Sequence, residues 1–98
     1  MIPYKTAESI GKSLQHLIDK HNLSGKLTVS QIKAWVYNEE GEAAFRKFNE
    51  NYLYFFSDVS DINEINAIIQ MFSDAWNYFP HKILGGKSPV QVMNEKRK

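Results

Sequence analysis

Along most of this chain apolar residues recur in steps of three and four, and one stretch keeps that rhythm without a break. Between Asp58 and Phe79 they fall at Ile62, Ile65, Ile69, Phe72, Trp76 and Phe79. On a helix this spacing draws one apolar stripe along one face. Asn63, Asn66, Gln70, Asp74 and Asn77 fill the other face, while Ile68 and Met71 widen the stripe. Burying side chains of this kind contributes about 1.5–3 kcal/mol each before the entropy loss is subtracted. The sequence therefore predicts that this helix organises the core.

Shorter copies of the pattern surround it. Met1 to Lys5 reads as an arm kept extended by Pro3, and Thr6 caps a first helix running to about His21. Its inner stripe is Ile10, Leu14, Leu17 and Ile18, with Glu8 favourably placed in the first turn. Asn22 to Lys26 is a turn. Thr28-Val29-Ser30-Gln31 fits a capping box, which starts a second helix with Leu27, Ile32, Trp35 and Val36 inside. That helix should end near Tyr37 or Asn38, before the Asn-Glu-Glu-Gly turn. Glu42 to about Phe56 predicts a third helix with Phe45, Phe48, Tyr52 and Phe55 inward. A strand over Tyr52–Phe56 is the local alternative, but the chain offers no second strand to pair with it. Ser57, Asp58, Ser60 and Asp61 supply caps for the long fourth helix, and Pro80 stops it. Ser88-Pro89-Val90-Gln91 is another capping box with Pro at the first helical position, so a short fifth helix follows through Val90, Val92 and Met93. The expected fold is all-α: a compact bundle of four helices plus a short C-terminal helix, one domain over 1–98.

Composition narrows the function more than it names it. With no Cys among 98 residues, disulfides, thiol nucleophiles and thiolate zinc sites are excluded together. No run is long enough to span a membrane, and MIPYKTAESIGKS lacks the apolar centre of a secretory leader, so a cytoplasmic location is expected. The net charge of +1 implies no partner, but its distribution is uneven. Residues 80–98 hold five Lys/Arg against one acid, while residues 1–79 hold seven against ten.

Candidate chemistry is sparse. His16 and His21, five apart, lie on different faces of one helix and make no ligand pair. His81 has no acid near it in sequence, and no G-x-S-x-G nucleophile motif is present. Neither a cofactor nor a metal is expected, and no enzymatic activity. The stretch Pro80-His81-Lys82-Ile83-Leu84-Gly85-Gly86-Lys87-Ser88-Pro89 reads first as a connector. Proline ends one helix, the glycines allow left-handed backbone, and Ser-Pro begins the next helix. A functional reading uses His81, Lys82 and Lys87 with free loop amides as an anion site. Lys96 and Arg97 would extend it into a nucleic-acid contact, with Trp76 or Tyr78 stacking on bases. A helix-turn-helix over the second and third helices is disfavoured, because its recognition helix would open with acids that repel DNA.

The same residues carry a resemblance. With Trp76-Asn77 ahead of it, this segment resembles the P-H-x-x-L-G-G-x-[ST]-P stretch near the end of the catalytic domain of insertion-sequence transposases of the retroviral-integrase superfamily. The likeness covers residues 76–89. That family has three residues, the last an Arg, between the Asn and the Pro, where this chain has Tyr78 and Phe79. The resemblance implies a mobile-element relation and a packing motif. The family's ribonuclease-H-like sheet and three metal-binding carboxylates have no counterpart here, and no catalytic residue carries over.

Aromatic residues suggest a different use. Tyr54, Phe55 and Phe56 are adjacent, so they cannot all face inward from one helix. Exposed rings often mark interfaces. The leading expectation is a small non-enzymatic helical domain that contacts a protein partner or a second copy of itself through Tyr54, Phe56, Trp76 and Tyr78. The alternative is a weak nucleic-acid-binding module using His81, Lys82, Lys87, Lys96 and Arg97.

Overall fold

The computed structural model describes residues 6–39 and 41–96, so the expected arm at Met1–Lys5 and the basic end at Arg97 and Lys98 lie outside the described residues. Five α-helices follow one another: α1 (Ala7–Lys20), α2 (Val29–Asn38), α3 (Ala44–Leu53), α4 (Ile62–Tyr78) and α5 (Pro89–Lys96). Short 3-10 turns cover Tyr54–Phe56 and Lys82–Leu84. No strand forms among the described residues, and the fold is all-α as the pattern predicts.

Local hydrogen bonds set most of the helix ends. Thr28 Oγ1 accepts from the Gln31 amide at 3.1 Å while the Thr28 amide donates to Gln31 Oε1 at 2.8 Å. Ser88 and Gln91 repeat the same reciprocal box ahead of α5. Thr6 uses Ser9 for it, a shorter partner than the usual Glu or Gln. Asp61 Oδ1 caps α4 by accepting from the amides of Asn63 and Glu64. The end of α1 is closed by Asn22 at φ 56, a left-handed position that Asn tolerates. Its amide donates to Asp19 O and that of Leu23 to Ile18 O, the paired bonds of a Schellman motif.

Helix α4 lies against all four other helices. Its buried residues are Ile68, Phe72 and Ala75, and Phe79 follows them into the core. The predicted seam is therefore turned. Ile68 and Ala75 take the places expected for Ile69 and Trp76, which rotates the buried line by about half of the 100° step between neighbouring residues. The small Ala75 lets the neighbouring elements approach closely, and the large indole of Trp76 moves to the rim. Ile62 and Ile69 are left 66% and 38% exposed.

In α3 the inward residues are Ala44, Phe48 and Tyr52. Phe45, expected inside, is 44% exposed. The helix then tightens into the 3-10 turn, which sorts the three adjacent rings: Tyr54 outward, Phe55 half-buried, Phe56 buried. At the centre the Tyr52 and Phe72 rings stack 4.0 Å apart and 3° from parallel, with Phe48 and Phe56 around them. The Tyr52 hydroxyl is buried with no hydrogen-bond partner. Burial disfavours the phenolate and pushes its pKa up to about 12.

Candidate functional site

The connector between α4 and α5 is built around a missing donor. In a continuing helix the amide of residue 80 would bond the carbonyl of Trp76, but Pro80 has no N–H. His81 supplies the replacement: its Nε2 lies 2.6 Å from Trp76 O. A carbonyl only accepts, so Nε2 carries the proton and donates. The His81 ring is buried and meets the Trp76 indole edge-on at 4.6 Å. Gly85 and Gly86, at φ 68 and 84, then turn the chain back. His81 and Lys87 pair across the turn, the His81 amide donating to Lys87 O.

These bonds consume most of the loop amides an anion site would use. The amides of Leu84 and Gly86 donate to His81 O, that of Gly85 to Lys82 O, that of Lys87 to Leu84 O, and that of Ser88 to Gln91. His81, proposed from sequence as an anion contact, is spent on the helix end. Lys87 Nζ is 2.7 Å from Glu95 Oε1, which neutralises it locally. Lys82 and Lys96 stay exposed, and Arg97 lies outside the described residues. Among the described residues no group of three or more His, Asp or Glu side chains converges, and no helix is long and apolar enough to cross a membrane.

The four aromatic positions named for a partner do not form one surface. Tyr54 is 77% exposed and rests edge-on against Phe55, which stacks on Trp35. Phe56 is a correction: it is buried against His21 and Phe72, because the 3-10 turn points it into the core. Tyr78 is half-buried in a cleft it shares with Thr6, Pro80 and Gln91. Trp76 is half-buried between Phe45, Phe48 and His81.

Trp76 belongs instead to a face that neither aromatic content nor charge revealed. Helices α3 and α4 run antiparallel: Phe45 meets Trp76 at 5.2 Å at one end, and Leu53 and Ile65 line a common cleft at the other. Phe45 and Leu53 (38% exposed) stand two turns apart on α3. Ile62, Ile65, Ile69 and Trp76 share one side of α4. Four of the chain's exposed large apolar side chains, Phe45, Leu53, Ile62 and Ile69, thus lie on one two-helix face. The open cleft there holds about 270 Å³ and is floored by Leu53, Phe56, Ile65 and Ile68. Asn49 sits between Phe45 and Leu53, with its Oδ1 shielded and unpartnered. The signal in the sequence was the excess width of the α4 stripe: Ile65, Ile68, Ile69, Phe72, Ala75 and Trp76 exceed what one seam can bury. Comparison with protein-family models, with curated proteins and with solved structures finds no match to this chain.

Proposed function

We propose that this chain is a non-enzymatic interaction domain whose working surface is the α3–α4 face. One observation carries the reading: Phe45, Leu53, Ile62 and Ile69 stand exposed beside Ile65 and Trp76 on two antiparallel helices. Scattered apolar exposure needs no explanation, but side chains aligned on one face are what a partner buries. Trp76 and Phe45 are the anchors. Both are large, and their mutual contact holds them in place before binding. No catalysis is assigned to the chain: the buried imidazole of His81 is occupied as a helix cap.

A photo-crosslinking residue placed at Ile69, in the cells that make the protein, tests this. Protein adducts are expected from position 69 and not from the exposed Gln15 on α1. Absence of adducts at 69, or equal yields at both positions, would overturn the reading.

A further inference from the structure

We infer that the partner on the α3–α4 face is a second copy of this chain, packed with its helices antiparallel about a two-fold axis. The inference rests on the proposed working surface and names its occupant. Three features of the face favour a copy of itself.

The first is shape. The two ends of the face differ: Phe45 stands exposed against the half-buried Trp76 at one, and the cleft between Leu53 and Ile65 opens at the other. A two-fold lying in the interface plane and perpendicular to the helices sets α3 on the partner's α3, reversed, and α4 on the partner's α4. Each Phe45 ring then lies over the partner's cleft, and each Trp76 over the partner's Ile62 and Ile65. Knob and hole reside on the same chain, and the antiparallel arrangement brings them together twice.

The second is charge. The outer rim of α3 carries Arg46 and Glu50, one turn apart and 3.8 Å from each other. A pair of opposite charges along a helix complements its own reverse, so Arg46 reaches the partner's Glu50 while Glu50 reaches the partner's Arg46. The α4 rim offers Asn66, Ser73 and Asn77, which are neutral and repel nothing.

The third is size. Helix α4, with 17 residues, is about 25 Å long, and two helices side by side span about 18–20 Å. Helix α3, with 10 residues, is only about 15 Å long, so the face is about 400 Å² per copy, or ~800 Å² for the pair, at the small end that weak, transient interfaces occupy. An interface of that size fits a weak, reversible dimer that forms only at high chain concentration.

Sedimentation equilibrium on the full chain tests the inference through charge exchange. The unaltered protein should dimerise, while Arg46→Glu and Glu50→Arg should each weaken self-association about tenfold, since each creates two like-charge pairs. Mixing the two variants makes one α3 rim acidic and the other basic, restoring both attractions. A heterodimer at least as tight as the unaltered dimer is expected. Ile69→Glu should abolish association without unfolding the chain. A monomer at every concentration overturns the inference, and so does a mixture that stays as weak as its components. If position 69 still crosslinks to a different protein while the chain is monomeric, only the second copy is overturned. If it crosslinks to nothing, the surface reading falls too.

Discussion

Replacing Phe72 with alanine is expected to lower folding stability by about 3–5 kcal/mol, read as a fall in the urea midpoint or in Tm. Its ring is fully buried, stacks on Tyr52 and touches Phe48 and Phe56, so truncation removes contacts to α3 and to the turn after it at once. A domain of this length has about 5–15 kcal/mol in total, so the variant should sit near unfolding at ordinary temperature. Tyr52→Phe acts on the same stack with the opposite sign. It keeps the ring and deletes a hydroxyl that is buried without a partner, and should stabilise the fold by about 1 kcal/mol. The pH dependence follows from the same burial. Tyr52 ionises near 10 when unfolded but near 12 in the fold, so between those values the native state holds the extra proton and stability falls as pH rises. Tyr52→Phe removes that share of the alkaline loss.

His81→Leu should cost about 1–3 kcal/mol, because Pro80 has no N–H and the part-buried Trp76 carbonyl then loses the imidazole donor as well. The loss should concentrate at the end of α4, visible as faster amide exchange over its last turn while α1 and α2 keep their protection. Lys82→Ala, on the exposed neighbour, should stay within about 0.5 kcal/mol of the unaltered chain. Equal losses for both would show that the cap contributes nothing.

The helix ends were legible in the sequence because their chemistry is local. Thr28 with Gln31, and Ser88 with Gln91, are three residues apart, and no distant contact is needed to form those boxes. The stop at Pro80 is of the same kind. Which side of α4 faces inward was not legible. Stripes through Ile62, Ile69 and Trp76, or through Ile68 and Ala75, share Ile65, Phe72 and Phe79 and are nearly equal in apolar content. The choice depends on where α1, α2 and α3 press against the helix, and only the tertiary arrangement fixes that. The same holds for Phe45 and Phe56, whose predicted places are exchanged: the first is exposed, and a single tightened turn buries the second. His81 misled for another reason. A histidine beside lysines and glycines has the composition of an anion site, and its use as a cap appears only when the carbonyl orphaned by the proline is located.

The proposed working surface rests on that rotation of α4, since turning Ile68 and Ala75 inward is what leaves Ile62 and Ile69 outside. The most direct measurement uses Trp76, which becomes the only tryptophan in a Trp35→Phe variant. If a second copy covers the α3–α4 face, acrylamide should quench Trp76 fluorescence strongly at nanomolar chain concentration and several-fold less at hundreds of micromolar. Quenching that is the same across that range would contradict the account.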